Sequence, residues 1–138
     1  MPSVTYKTNS EAGTIALGER LAAAWPARRA VLLIGNLGAG KTTLAKGIAL
    51  GRGTAALEEV ASPTFTLIHE YPGLYHIDLY RLDTEAEVAT LGLDEIFDRE
   101  AIVLIEWGER FPQLMPAHRI EIRIRDLGGD EREIEVTE

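Results

Sequence analysis

A glycine-rich loop between an apolar run and a helical segment constrains the fold of this chain more than any other feature. The run Ala30-Val-Leu-Leu-Ile34 is continuous and apolar, as expected of a strand buried on both faces of a parallel sheet. It leads into the loop Gly35–Thr42, and the segment Thr42–Leu50 then has helical character up to Gly51. A strand, a loop and a helix in this order predict an α/β fold.

The loop, Gly35-Asn-Leu-Gly-Ala-Gly-Lys-Thr42, matches the phosphate-binding pattern G-x-x-x-x-G-K-[ST] in full. Its three glycines allow a tight turn with the backbone N–H groups aimed inward, and the following helix adds its positive end. Lys41 is expected to reach the β- and γ-phosphates, and the Thr42 hydroxyl to ligate Mg²⁺. The predicted cofactors are therefore ATP and Mg²⁺. The residues predicted to contact the nucleotide are Gly35, Asn36, Leu37, Gly38, Ala39, Gly40, Lys41, Thr42 and Thr43.

An acid at the end of a second buried strand is a candidate catalytic and metal-binding group. Four apolar residues, Ile102-Val-Leu-Ile105, end in Glu106. A nucleotide-hydrolysing site needs a carboxylate at the end of a neighbouring strand to hold Mg²⁺ or to orient water. Glu106 fits that place, and the alternative is an ordinary strand-terminal glutamate.

A second acid lies in His76-Ile-Asp-Leu-Tyr-Arg81. Alternation along a strand puts His76, Asp78 and Tyr80 on one face, predicted to lie opposite the core. The pattern alone leaves Asp78 open between a catalytic role and that of an edge-strand acid. His76 is more typical of a structural histidine than of a base.

Two further features have both a functional and an ordinary interpretation. A hydroxyl in Ser62-Pro-Thr-Phe65, such as that of Thr64, could sense the γ-phosphate as switch loops do, although the spacing alone favours a simple proline turn. Trp107 follows Glu106 and could report on the site, although a core or interface tryptophan is commoner.

The remaining patterns predict one domain over residues 1–138, with a central parallel sheet and antiparallel flanking strands. A first strand covers Val4–Thr8, Ser10 caps a helix that runs to about Ala24, and Asp83 or Thr84 caps an acidic helix that ends near Gly92. Two strand pairs are also predicted. They are Thr66–Tyr71 with Leu74–Tyr80, and Arg119–Arg125 with Ile134–Val136.

Composition excludes several classes of function. The net charge is −8, which disfavours tight direct binding of RNA or DNA, because phosphate neutralisation requires a basic surface. The absence of cysteine excludes disulfides, thiolate metal sites and cysteine nucleophiles. The first ten residues lack the apolar run of a signal peptide, and no stretch has the roughly 18 apolar residues of a membrane span. A cytoplasmic protein is expected.

Four segments together carry a specific resemblance: GNLGAGKTT, SPTF, HIDLYR and IEWGER, in this order and spacing. They resemble the TsaE family, the small ATPase of the bacterial machinery that makes N6-threonylcarbamoyladenosine in tRNA. The likeness covers nearly the whole chain. It implies a P-loop fold. It also implies an ATPase with two protein partners, a carbamoyltransferase subunit and its inactive paralogue, whose heterodimer is reset by ATP hydrolysis. Contact with tRNA is then expected to be only indirect.

The resemblance also implies roles for individual residues. Lys41 and Thr42 would serve the phosphates and Mg²⁺, Glu106 would be the acid of the second strand, Asp78 would be catalytic, and Thr64 would act as a switch residue. One departure is Asn36, since that loop position is often acidic in the family. The amide cradle does not need this side chain, so the change concerns a surface or partner contact more than nucleotide binding.

Three other functions remain open from the sequence. A small-molecule kinase would need a second-substrate pocket and a lid carrying arginines, and no arginine-rich lid segment is evident. Arg81 could serve such a lid, although it fits a contact with a single phosphate or a partner equally well. A GTP-dependent switch commonly carries Asn-Lys-x-Asp, which this chain lacks. A nucleotide sensor would bind ATP with negligible turnover.

Overall fold

The described part of the chain forms one sheet with helices packed against it. The computed structural model describes residues 2–36, 38–53 and 67–138. The elements in these ranges are β1 (Ser3–Thr8), α1 (Glu11–Ala23), β2 (Arg29–Ile34), α2 (Lys41–Gly51), β3 (Ile68–Tyr71), β4 (Leu74–Asp78), α3 (Glu85–Ala89), α4 (Leu93–Phe97), β5 (Ile102–Glu106), β6 (Arg119–Gly128) and β7 (Glu131–Thr137). Two short 3-10 helices, Gly108–Arg110 and Pro112–Leu114, lie between β5 and β6.

The described strands form a seven-stranded sheet in the order β1-β7-β6-β2-β5-β4-β3. Strands β6, β2, β5 and β4 are parallel to one another at the centre. Strand β3 pairs antiparallel with β4 at one margin, and β7 and β1 pair antiparallel at the other. The predicted α/β class, with a parallel centre and antiparallel flanks, is confirmed.

Helices cover both faces of the sheet and make a three-layer arrangement. Val31 and Leu33 of β2 belong to the apolar cluster that contains Leu44 of α2, whereas Leu32 belongs to the cluster that contains Val88 of α3. The centres of β2 and β5 are therefore buried on both faces, as their uninterrupted apolar sequences predict. Each such side chain contributes about 1.5–3 kcal/mol when fully buried. Within the described part of the chain, no helix is long and apolar enough to cross a membrane.

Helices α1 and α2 pack closely because glycines lie at their contact. A Cβ atom at Gly47 or Gly51 of α2 would overlap a backbone carbonyl of α1, and one at Gly18 of α1 would overlap the carbonyl of Leu44. Ser10 caps α1 by accepting a hydrogen bond from the Gly13 N–H at 2.9 Å, as predicted. The helix behind the glycine-rich loop is thus fixed against the sheet on one side and against α1 on the other.

The structure corrects some predicted boundaries. The acidic segment forms α3, capped by Thr84, but Gly92, at a φ of 70°, starts a separate helix α4 that the pattern did not predict. Helix α2 begins at Lys41 rather than at Thr42, and β4 ends at Asp78 rather than at Tyr80.

The prediction that His76 lies opposite the core is wrong, because its ring is fully buried. Its face of β4 also carries Leu74, a member of the cluster under α1 and α2, so this face of the sheet is covered as well. A two-residue alternation gives the face of a side chain but not whether that face is open.

Replacing Gly47 with alanine tests the close contact of the two helices. Gly47→Ala should lower the free energy of unfolding by about 1–3 kcal/mol, because the added methyl group overlaps the Ile15 carbonyl. At an exposed helical site the same change stabilises by up to about 1 kcal/mol, so the sign of the effect is diagnostic. Urea denaturation measures it, with the half-buried Lys46→Ala next to it as control. A stabilised Gly47→Ala protein would contradict the packing.

Candidate functional site

The glycine-rich loop joins β2 to α2 at the carboxyl edge of the parallel strands. Gly38 and Gly40 have φ angles of 79° and 109°, in the left-handed region that favours glycine. The Ala39 N–H donates to the Asn36 carbonyl at 3.0 Å, which closes a turn within the loop. Lys41 is the first residue of α2, so the first helical turn, whose N–H groups have no partner within the helix, lines the cleft. Leu37, also predicted to bind phosphate, lies outside the described residues.

The Lys41 side chain is buried in this cleft with an unsatisfied ammonium group. It is only 5% exposed, and its Nζ lies 3.9 Å from Oε1 of Glu106 and 3.9 Å from the ring centroid of Trp107. Among the described residues, Nζ has no hydrogen-bond partner. Burial lowers the pKa of Lys41, and the nearby carboxylates, first Glu106, oppose that shift. A buried cation without an acceptor is a strong site for an anion.

The parallel register brings both predicted acids to the same edge. Glu106 pairs with Leu33 on one side and with Asp78 on the other. Glu106 is 4% exposed. Asp78 is less buried, and its Oδ1 accepts the Tyr80 N–H at 2.9 Å. Burial raises the pKa of Asp78, and the Tyr80 N–H partly offsets the shift.

These groups line one cleft of about 300 Å³. Its walls are Gly38, Gly40, Lys41, Thr42, Thr43, Asp78, Tyr80, Glu106 and Trp107. The structure thus brings together most of the predicted site residues. Gly35, Asn36 and Ala39 instead line a separate groove with Arg123 and Arg125 of β6. Thr64 lies outside the described residues.

The cleft contains few protein ligands for a metal ion. In the described ranges, no group of three or more His, Cys, Asp or Glu side chains could hold a metal. Thr42 and Glu106 line the same cleft. One hydroxyl and one carboxylate match the sparse protein ligation of Mg²⁺ that is held mainly by water and nucleotide phosphates.

Trp107 closes one side of the cleft with an unusual backbone conformation. Its φ is 67°, which is uncommon for a large side chain and has an energetic cost. Its ring packs on Tyr80, with the two centroids 5.1 Å apart. Arg110 donates to the carbonyls of Leu79, Tyr80 and Leu82, so the segments that follow β4 and β5 are tied together.

Arg132 of β7 contacts the loop, and no local sequence pattern predicts this contact. Its Nε donates to the Ala39 carbonyl at 2.8 Å, and its Nη1 bonds Asp126 and two backbone carbonyls. With Gly40 and Thr43 it also lines a small cavity of about 90 Å³ that includes Ser10, Glu11, Thr14 and Asp130. The N-terminal segment therefore lies beside the loop.

Arg132→Gln should weaken nucleotide affinity by about tenfold or more, because the loop carbonyl loses a charge-assisted hydrogen bond worth ~1.5–3 kcal/mol. Calorimetric titration with ADP measures the loss, and Arg125→Gln, an exposed arginine paired with Glu133, is the control. Pyrophosphate has no nucleoside part, so an equal loss with pyrophosphate assigns the effect to loop geometry. Unchanged affinity for both ligands would contradict a role for Arg132.

Asp78→Asn should stabilise the protein at neutral pH. The raised pKa means that ionised Asp78 is disfavoured in the folded state, so this cost is absent below the usual aspartate pKa and complete above the raised one. The variant's advantage in melting temperature should therefore grow as the pH rises above the usual aspartate pKa. Asn can still accept the Tyr80 N–H. An Asp78→Asn protein with the same melting temperature as the wild type at acid and at neutral pH would show that burial of this carboxylate has no cost.

Comparisons with known proteins match most of the chain. A sequence model of one family, described as threonylcarbamoyl adenosine biosynthesis protein TsaE, matches residues 8–134. The tRNA threonylcarbamoyladenosine biosynthesis protein TsaE of Bacillus subtilis is 40% identical, over 99% of this chain and 87% of that protein. The protein of the same name from Treponema pallidum is 43% identical, over 77% of this chain and 79% of that protein. A crystal structure of Bacillus subtilis YdiB superposes with a TM-score of 0.79 and 34% identity, covering 98% of this chain and 84% of that one.

Proposed function

The chain belongs to the TsaE family, and we propose that it binds ATP with Mg²⁺ and hydrolyses it in support of threonylcarbamoyladenosine synthesis in tRNA. The pathway is supported by the family description and by the names of the relatives. The nucleotide is supported by one observation above all. The buried Lys41 ammonium lacks an acceptor among the described residues and stands at the start of α2, beside a loop whose glycines have positive φ.

In the proposed mechanism, each phosphate of the nucleotide would be bound by groups that line the cleft. Lys41 would turn its Nζ to the β- and γ-phosphates, while the loop N–H groups would hold the phosphate oxygens. Thr42 and Glu106 would hold Mg²⁺, which neutralises charge that develops on the transferred phosphoryl group. Asp78, at the end of the adjacent strand, would orient the attacking water. The low exposure of Lys41 and Glu106 keeps these interactions strong, because bulk water is largely excluded.

We propose that turnover depends on protein partners, namely the transferase subunit and its inactive paralogue, and that tRNA is reached only through them. The net charge of −8 supports docking to a basic protein surface. Arginines of the β6–β7 hairpin are paired with carboxylates, as in Arg125–Glu133 and Arg132–Asp126. Such neutralised arginines contribute little of the positive potential that RNA binding requires.

ATP hydrolysis by the purified chain, alone and with the transferase pair, tests the proposal. The rate alone should be slow and should rise strongly with the partners. Lys41→Ala should lose at least about tenfold in nucleotide affinity, the scale of a charge-assisted interaction with phosphate. Lys46→Ala, on the same helix and outside the cleft, is the matched control. A Lys41→Ala protein with wild-type affinity would contradict the phosphate site.

The same assay separates hydrolysis from the kinase alternative. An ATPase releases inorganic phosphate in proportion to the ADP that it forms. A kinase transfers the phosphoryl group, so ADP would exceed free phosphate when an acceptor is present. Two results together would favour the kinase over the ATPase. They are an equal rate of ATP consumption with and without the partners, and an acceptor molecule whose addition makes ADP exceed free phosphate.

A further inference from the structure

A buried histidine is hydrogen-bonded to the carboxylate of Glu106. Nε2 of His76 lies 2.6 Å from Oε2 of Glu106. The imidazole is fully buried and Glu106 nearly so. The two residues come from adjacent parallel strands, 30 positions apart, and no sequence motif links them. Any hydrogen-bond acceptor can satisfy a buried histidine, whereas His76 is hydrogen-bonded to Glu106, the carboxylate that is proposed to bind the metal.

The hydrogen bond orients the imidazole ring. Beside an ionised carboxylate, which only accepts hydrogen bonds, the tautomer that fits this contact is the one protonated on Nε2. Nδ1 has no hydrogen-bond partner within the described residues. The bond to Glu106 is therefore the contact that orients the polar edge of the ring in this part of the structure.

The two oxygens of Glu106 face different groups. Oε2 is held by His76 at 2.6 Å, and Oε1 lies 3.9 Å from the Lys41 ammonium. A bond to one oxygen fixes the rotation of the whole carboxylate, and so aims the other oxygen at the cleft. In many metal sites a partner of this kind sets the orientation of the ligand that touches the metal.

We propose that His76 is a positioning residue that holds Glu106 with Oε1 directed at the metal–phosphate end of the cleft. The inference rests on the proposed function. When the Lys41 ammonium turns to bound phosphates, Glu106 loses its nearest cation, and the hydrogen bond from His76 remains to hold the carboxylate in place. His76 itself contacts neither nucleotide nor metal.

Metal binding to the nucleotide complex distinguishes positioning from general structural support. The probe is Mn²⁺, titrated into the ADP-bound protein and followed by electron paramagnetic resonance of the free ion. His76→Leu, which removes the donor, should weaken Mn²⁺ affinity about 10- to 100-fold, as for other partners of metal ligands. Affinity for ADP without metal should stay at the wild-type value. His76→Gln keeps an N–H donor and should recover part of the loss.

The matched control is His69→Gln. His69 lies directly opposite His76 on β3 and is only partly buried, next to Tyr71. This control should leave Mn²⁺ affinity unchanged. Equal losses of metal and ADP affinity in His76→Leu would show a structural role, and unchanged Mn²⁺ affinity would show no role; either result overturns the proposal.

A measurement on the unmodified ring applies even if the His76 variants fail to fold. Nitrogen-15 NMR of the ligand-free wild type should show the His76 proton on Nε2, and Glu106→Gln should shift that resonance strongly. A proton on Nδ1 alone would overturn the inference. If the wild type binds no ADP at all, the proposed function fails. If it binds Mn²⁺ and ADP but His76→Leu does so equally, only the His76 proposal fails.

Discussion

The parallel register of β2, β5 and β4 is the constraint on which the site depends. Leu33 pairs with Glu106, and Glu106 pairs with Asp78, so three strand ends meet at one edge. The loop after β2 starts from that edge and turns into α2. Parallel pairing needs connections that cross over the sheet, and here they place α1 and α2 on one face and α3 and α4 on the other. The apolar strands thus determine where the polar groups meet.

The carboxyl edge of the parallel strands brings several charged side chains together, and this lowers the stability of the folded protein. Burial disfavours the charged forms of Lys41 and Asp78, and their pKa values shift in opposite directions for the same reason. The positive φ of Trp107 adds a local backbone cost beside them. Large apolar clusters on both faces, together with the glycine contacts of α1 and α2, offset these costs. Such an exchange of stability for preorganised polar groups is common at functional sites.

The sequence predicts those parts of the site that depend on local pattern. The strand before the loop, the positive-φ glycines and the place of Glu106 at a strand end all follow from runs of fewer than about ten residues. It does not predict the contact of Arg132 with Ala39, which joins residues 93 positions apart. Nor does it predict that His76 is buried, because alternation along β4 says nothing of what covers that face. Nor does it predict α4, which begins directly after Gly92, where the acidic helix is expected to end.

The charges of the cleft determine the form in which a nucleotide would bind. Lys41 faces two carboxylates, Glu106 and Asp78, and a third, that of Glu109, acts on it from nearby. A free triphosphate would therefore meet one cation and several anions. A divalent ion bound to the phosphates reverses this balance, because it is attracted by the carboxylates that repel the free nucleotide. The Thr42 hydroxyl and the Glu106 carboxylate line the same cleft, so a metal held there would link both groups to the phosphates. For the proposed site we therefore expect the metal–nucleotide complex to bind more tightly than either component alone.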